Sequence, residues 1–137
     1  MSHGFAKKLV FAAFIFTACS SVTFAAEQVS ECYRKAKTTN DSELCAAAES
    51  HALEAQLNNI FEYTVTNGQE PDAVNALREA QVTWNNFREQ DCHAVSYSYG
   101  SGTYRGTAFQ ECMAVHATRR IEDLKSWNPS HWTGASR

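Results

Sequence analysis

The sequence lacks the short motifs that identify many enzymes and metal proteins. It has no G-x-S-x-G, P-loop or H-E-x-x-H pattern, and its Ser, His and Asp residues show no spacing typical of a catalytic triad. It also has no C-x-x-C pair, which argues against a zinc site or thioredoxin-like chemistry. Beyond residue 50 the histidines are scattered, at His51, His93, His116 and His131. We therefore expect no enzyme activity, no bound metal and no cofactor.

Patterns typical of β-strands and of internal repeats are absent as well. The apolar run near the N-terminus, Leu9 to Phe16, is too short to span a bilayer. The stretch from Ala80 to Cys92 contains no glycine or proline and is typical of one continuous helix. These features predict an all-α protein without a membrane-spanning helix.

The apolar run belongs to a predicted secretory signal peptide. Lys7 and Lys8 precede it, and the small residues that follow it suit cleavage before Ala26. We assign residues 1–25 to this signal, residues 26–126 to one helical domain and the remaining residues, 127–137, to a C-terminal tail.

A second route of export is also open. Phe16-Thr17-Ala18-Cys19 is similar to a degenerate lipobox, in which Cys19 is the lipidated residue of a bacterial lipoprotein and the signal ends at residue 18. Phe16 stands where leucine is typical. One route predicts a periplasmic or secreted protein, and the other predicts a lipoprotein anchored at the outer membrane.

Removing the signal changes the net charge of the protein. Without residues 1–25, ten basic and 15 acidic residues remain, so the net charge is −5. An acidic domain is a poor nucleic-acid binder and is suited to a cationic protein partner.

Four cysteines remain in the predicted domain, an even number that argues for two disulfides in a small exported protein. A helical hairpin through residues 96–106 brings Cys92 close to Cys112, which leaves Cys32 to pair with Cys45. Each bridge should stabilise the fold by roughly 3 kcal/mol. A bridge between Cys32 and Cys112 would contradict this topology.

The helical pattern predicts two long antiparallel helices, a third helix and a short helical piece at residues 29–36. The first long helix runs from about residue 42 to 65. Asn40 and Glu43 resemble the capping box that opens a helix. The first helix should stop at Asn67-Gly68, where glycine tolerates the left-handed conformation.

The second long helix runs from about Pro71 to Val95, and the third from Thr107 to about Ser126. Thr107 with Gln110 is another capping-box pattern. Residues 96–106 are rich in Gly, Ser and Tyr and predict an irregular loop. The predicted fold is a small, all-α, disulfide-stapled helical bundle.

One face of the second helix combines apolar and polar residues. It contains Val74, Leu77, Gln81, Trp84, Arg88, Asp91 and Val95, and it is widened by Ala80 and Phe87. Arg88 and Asp91 are three residues apart and predict an ion pair. The polar residues suggest either an active site or a network that fixes helix register around Trp84. Glycoside hydrolysis needs a second carboxylate, and none is placed to face Asp91, which favours the network.

The loop at residues 96–106 is the predicted partner-binding surface. Its tyrosines offer a large contact area at low entropic cost, its Ser and Gly residues adapt, and its arginine can pair with a carboxylate. The predicted contact residues are Tyr97, Tyr99, Ser101, Tyr104 and Arg105. The alternative is an ordinary flexible connector.

The motif Ala80-Gln81-x-x-Trp84-x-x-Phe87-Arg88-x-x-Asp91-Cys92 resembles the A-Q-x-x-W-x-x-[YF]-R-[DE]-x-x-C signature of LprI/YecT-like exported proteins. Leu44-Cys45 with Ala55-Gln56-Leu57-Asn58 is similar to the first helix of that family, and Gly100-Ser101…Cys112…Arg120…Leu124 to its loop and closing helix. Two features depart from the family pattern: Ala117 replaces a common threonine, and the loop is rich in tyrosine.

The resemblance implies a small helical domain outside the cytoplasm that inhibits lysozyme by protein–protein contact. A cationic lysozyme is the partner that it implies. An envelope structural or interaction protein without lysozyme activity is the alternative, and a hydrolase that uses Asp91 is a weaker third. The sequence leaves the oligomeric state open.

Overall fold

The computed structural model describes residues 20–68 and 70–127, with side chains from residue 27 onward. Four helices follow one another: α1 (Ser20–Lys35), α2 (Thr39–Asn67), α3 (Pro71–Tyr97) and α4 (Arg105–Ser126). The predicted all-α fold is confirmed. Within the described ranges, no helix combines the length and the apolar character that crossing a membrane requires.

The predicted signal and lipid site fall mostly outside the described residues. Cys19 and the apolar run before it are not described, and neither is the tail beyond Trp127, so these assignments stay predictions. α1 begins at Ser20, earlier than the predicted short helical piece. Its sixteen residues contain no glycine or proline that would stop the helix before Val29.

A capping box opens α2, two residues before the predicted position. Thr38 is the N-cap: its Oγ1 accepts from the backbone N–H of Asp41 at 3.1 Å, and the Asp41 carboxylate accepts from the Thr38 N–H at 3.0 Å. Asn40, the predicted cap, lies inside the helix. Thr-x-x-Asp and Asn-x-x-Glu can both accept hydrogen bonds from two otherwise unpaired backbone N–H groups at a helix start. The sequence pattern alone therefore did not distinguish the two possible caps.

We expect Thr38→Ala to lower the free energy of unfolding by about 1 kcal/mol, because the N-terminus of α2 loses an oxygen acceptor. Urea denaturation monitored by far-UV circular dichroism measures the change. Asn40→Ala is the matched control and should change stability by less than about 0.5 kcal/mol. A larger loss in Asn40→Ala than in Thr38→Ala would contradict the observed cap.

Both predicted disulfide pairs are confirmed. Cys32 and Cys45 join α1 to the start of α2, with Cα atoms 5.7 Å apart. Cys92 and Cys112 join α3 to α4, with Cα atoms 5.4 Å apart. The first bridge therefore attaches α1 to the bundle, and the second bridge attaches α4 to α3.

α2 ends at Asn67 as predicted, although the expected left-handed glycine is wrong. Gly68 has φ −65° and ψ 130°, which is extended backbone. The Asn67 amide donates to the carbonyl of Tyr63 at 2.8 Å, and Pro71 then opens α3. Glycine suits position 68 because of space, since a Cβ there would lie 2.5 Å from Cγ2 of Val74.

The two long helices pack mainly on α4 and contact each other at few positions. Small side chains on α4 allow this close approach, because Ala108, Ala114 and Ala117 are buried. The main apolar core contains Leu57, Val65, Leu77, Ala117, Ile121 and Leu124. The predicted hairpin of α2 and α3 is thus held together largely by the third long helix.

The buried face of α3 is narrower than predicted. It contains Leu77, Gln81, Arg88, Cys92 and Ser96. Ala80 and Val95 are exposed, and Phe87 is 56% exposed, so the predicted widening of this face is wrong. Phe87 contacts α4 at the His116 ring, and the rest of its surface is left to solvent.

The predicted ion pair between Arg88 and Asp91 is also wrong, because each polar side chain of the α3 motif reaches another helix. Arg88 donates to both carboxylate oxygens of Glu54 on α2. The other two contacts join α3 to α4: Asp91 to His116 at 2.8 Å, and Gln81 Oε1 to Arg120 Nε at 2.9 Å. The motif therefore ties α3 to both of its neighbours, which supports a network that fixes helix register.

Two guanidinium groups of this network lie over the Trp84 ring. The Cζ of Arg88 is 4.7 Å from the indole centroid and the Cζ of Arg120 is 5.6 Å from it. Buried nitrogens of these arginines, Nε of Arg88 and Nη2 of Arg120, have no oxygen acceptor. The negative face of the indole compensates them through cation–π attraction. Burial also lowers the pKa of Arg120.

Candidate functional site

The α3–α4 loop, residues 98–104, is shorter and more ordered than the predicted irregular segment. α3 continues to Tyr97, and α4 starts at Arg105 rather than at the predicted cap Thr107, which is fully buried inside the helix. The loop consists of successive hydrogen-bonded turns. The Gly100 N–H donates to the backbone carbonyl of Tyr97 at 3.0 Å, and the Gly102 N–H donates to the backbone carbonyl of Tyr99 at 3.1 Å. A loop with its own hydrogen bonds is preorganised.

Gly100 is the position where the loop requires glycine. Its φ of 61° lies in the left-handed region, and a Cβ there would meet no heavy atom within 4 Å. The requirement is therefore for backbone conformation and not for space. The reversal at Gly100 turns the chain back toward α4.

Two links close the base of the α3–α4 loop. The Cys92–Cys112 bridge lies about two helical turns below it. Nearer the loop, the Ser96 hydroxyl donates to the backbone carbonyl of Arg105 at 3.0 Å. Both ends of the loop are thus fixed to rigid helices, which restricts its conformational freedom.

The tyrosines of the predicted binding surface differ in their environment. Tyr97 is 61% exposed and Tyr99 is 49% exposed, whereas Tyr104 is half-buried. The rings of Tyr99 and Tyr104 pack together, with centroids 5.1 Å apart. Ser101 is exposed at the tip of the loop.

The Tyr104 hydroxyl donates to Oε2 of Glu111 at 2.6 Å. This hydrogen bond, followed by burial and by the charge of Glu111, raises the pKa of Tyr104 to about 12. Because the phenol is committed to a neighbour two turns along α4, Tyr104 positions the loop instead of offering a free donor. Glu111 was not among the residues predicted from sequence, although its place seven residues after Tyr104 on one helix face was a usable signal.

A pH titration should detect this bond. The hydrogen bond needs the protonated phenol, so the folded-state pKa lies above the ordinary value of 10.0. The stability that it contributes is present below pH 10 and is lost as pH rises through about 12. We expect tyrosinate absorbance to show a step near pH 12 that Tyr104→Phe removes and Glu111→Gln moves toward pH 10. Tyr63→Phe is the control, and loss of the step in that variant would contradict the assignment.

Arg105 occupies the junction between the loop and α4. Its Cζ lies 4.7 Å from the centroid of the Tyr97 ring, which supports the guanidinium from one side. Within residues 27–68 and 70–127, no carboxylate lies within ion-pair distance of Arg105. Its donors are therefore oriented by stacking and remain free for an acceptor.

A shallow groove continues from the loop along the α3–α4 seam. It has a volume of about 310 Å³ and is lined by residues of both helices and the loop, among them Val95, Tyr99, Glu111, His116 and Arg119. Val95 and Val115 expose apolar surface at its rim. The loop and the groove form one continuous surface, which joins aromatic, aliphatic and charged groups.

His116 and Asp91 both line the groove and contact each other across the two helices. The Nε2 of His116 lies 2.8 Å from Oδ2 of Asp91, and the edge of the Phe87 ring packs against the imidazole at a centroid distance of 5.7 Å. His116 was one of the scattered histidines for which no metal-binding or catalytic role was expected, and its contact between the two helices was not predicted. Its position four residues after Cys112 was the signal, because the two share one face of α4.

The sequence is similar to known proteins over most of its length. The sequence model of the family described as "Lysozyme inhibitor LprI" matches residues 19–124. An uncharacterised protein of Rhizobium meliloti (strain 1021) is 25% identical over 119 residues, which covers 78% of this chain and 86% of the relative. No solved structure matches the chain.

Proposed function

Because this chain belongs to the LprI lysozyme-inhibitor family, we propose that it inhibits a lysozyme by direct contact through its α3–α4 loop. The observation that carries the proposal is the state of Arg105. Its guanidinium stacks on Tyr97 at the edge of a preorganised loop and has no carboxylate partner in the described part of the chain. An oriented, unpaired arginine on a rigid aromatic surface suits a carboxylate of a partner.

Lysozymes supply suitable acceptors, since glycoside hydrolysis uses a pair of carboxyl groups at the base of a cleft. In the proposed complex, Arg105 engages one of these carboxylates while Tyr97, Tyr99 and Ser101 fill the cleft and exclude the sugar chain. Tyr104 holds the loop in shape through its bond to Glu111. The net charge of −5 after removal of residues 1–25 speeds encounter with a cationic enzyme.

Export and the absence of catalysis are parts of the same proposal. The predicted signal peptide leads the protein to the periplasm or the exterior, where a lysozyme acts on peptidoglycan. The polar motif on α3 serves the fold, because Gln81, Arg88 and Asp91 are each bound to another helix. Inhibition therefore needs no chemistry by this protein.

Lysis of cell-wall suspensions tests the proposal. We expect the purified exported protein to slow the fall in turbidity at micromolar concentration with at least one of several lysozyme types. Arg105→Ala should weaken inhibition by about 30-fold or more, since loss of a charge-assisted contact costs about 2 kcal/mol or more at a desolvated interface. Tyr99→Ala should weaken it as well.

Two matched controls separate the loop from general effects. Arg78→Ala removes the same charge from an exposed position near the other end of α3, and Tyr63→Ala removes an exposed tyrosine from α2. Both should leave inhibition unchanged. No protection against any lysozyme type, together with recovery of another envelope protein as the binding partner, would favour an envelope interaction protein instead.

A further inference from the structure

The fold brings three metal-ligating side chains together at the α3–α4 seam. One ligand atom each from Cys92, Cys112 and His116 lies within 4.8 Å of the others. Cys112 and His116 are one turn apart on the same face of α4, and Cys92 faces them from α3. While the two sulfurs are joined in a disulfide, neither of them can be the thiolate that binds a metal ion.

We propose that the thiol form of this protein binds one Zn²⁺ through Cys92, Cys112 and His116, and that the metal and the Cys92–Cys112 disulfide exclude each other. Two thiolates and one imidazole are a donor set that zinc prefers over harder divalent ions. Cys112-x-x-x-His116 has the helical spacing at which two ligands on one face share a metal. The short separation of the Cα atoms, 5.4 Å, lets both sulfurs reach one ion.

The surroundings of the cluster favour a bound ion. Cys92 is fully buried and the His116 side chain is 13% exposed, so the ligands are held by packing. The α3–α4 groove is lined by Cys112, His116 and Asp91, which provides a path from solvent to the sulfurs. Asp91, 2.8 Å from Nε2 of His116, is placed either to orient the imidazole or to occupy the fourth position.

The chemistry has two separate steps. A phosphine reductant transfers two electrons to the S–S bond and takes up the oxygen of one water, so the products are a phosphine oxide and two thiols. Zn²⁺ then displaces the two thiol protons and adds the neutral imidazole. In the resulting state the metal replaces the disulfide as the link between α3 and α4.

The second cysteine pair supplies an internal control. Cys32 and Cys45 are equally close in space, but in the part of the chain that the structure describes they belong to no group of three metal-ligating side chains. If two thiols alone bound the metal, both cysteine pairs would have the same zinc affinity. The proposal instead predicts tighter zinc binding at Cys92 and Cys112, where His116 supplies a third ligand.

The experiment uses the exported protein, without residues 1–25 and therefore without Cys19. The protein is reduced with a phosphine, and its zinc affinity is measured by competition against a metallochromic indicator. Cys32→Ala/Cys45→Ala retains the proposed site and should bind one Zn²⁺ at least about tenfold more tightly than Cys92→Ala/Cys112→Ala. Adding His116→Ala to the first variant should remove that advantage, whereas adding His51→Ala should not. Co²⁺ in place of zinc should give tetrahedral bands and charge transfer from two thiolates.

Folding is followed in the same samples by circular dichroism. If reduction unfolds the first variant, zinc should restore its helix content, and it should restore none in Cys92→Ala/Cys112→Ala. Equal affinity of the two variants, no effect of His116→Ala, or zinc binding by the oxidised protein at this pair would overturn the proposal. None of these outcomes depends on whether the protein inhibits a lysozyme.

Discussion

Replacing Cys92 and Cys112 with alanine should lower the free energy of unfolding by about 3 kcal/mol or more. The bridge closes a chain segment with a separation of 20 residues, for which loop entropy alone gives about 3 kcal/mol. Cys92 is also fully buried, so its removal takes packing from the α3–α4 seam. Chemical denaturation measures the stability, and amide hydrogen exchange of residues 98–104 should show faster opening of the loop.

Cys32→Ala/Cys45→Ala is a closely matched control. Its bridge spans a separation of 13 residues, so the entropy contributions of the two bridges differ by less than about 0.5 kcal/mol. A larger difference between the unfolding free energies of the two variants therefore measures the contribution of packing and loop order. The Cys32–Cys45 variant should keep both the exchange protection of the loop and the inhibition of lysozyme. A greater loss of stability in that variant would contradict the central place of the α3–α4 seam.

Trp84→Leu should destabilise the protein by about 3 kcal/mol. The change deletes part of a large, partly buried side chain that packs against the apolar core. It also removes the aromatic face that lies against Arg88 and Arg120. Their buried N–H groups that lack an oxygen acceptor would then lose their remaining compensation. The denaturation midpoint should fall without a change in the slope, since the loss is one of stability.

Phe87→Leu is the corresponding control within the same motif. Phe87 is 56% exposed, so this substitution should cost less than about 0.5 kcal/mol. The two residues are three positions apart on α3, and hydrophobicity alone ranks them alike. Equal destabilisation by the two changes would show that the indole has no special contact with the arginines.

The helices and disulfides could be predicted because their signals are local. These signals are apolar periodicity, Pro71 at the start of α3 and the order of the cysteines. Each of them can be recognised within a short stretch of sequence. Partners across the bundle could not be predicted in this way. Arg88 lies three residues from Asp91 but binds Glu54, which is 34 residues away, because the packed helices bring that carboxylate to a buried guanidinium.

In the candidate site, too, local features could be predicted and contacts between side chains could not. The Tyr-rich composition identified the loop segment. Composition did not reveal that Tyr104 is committed to Glu111 or that Arg105 stacks on Tyr97. Those contacts depend on where α3 ends and α4 begins, and helix ends are the least predictable part of a sequence pattern.

Because both long helices pack on α4, the order in which the helices emerge during export affects folding. α2 and α3 emerge before α4 does, so their apolar faces have no lasting partner until the C-terminal quarter has followed. Because native contacts between α2 and α4 span most of the folded region, folding should be slower than that of a simple helical hairpin. The Cys32–Cys45 bridge can close early, when only the start of α2 is present. The Cys92–Cys112 bridge must wait for α4 and so marks the completion of the fold.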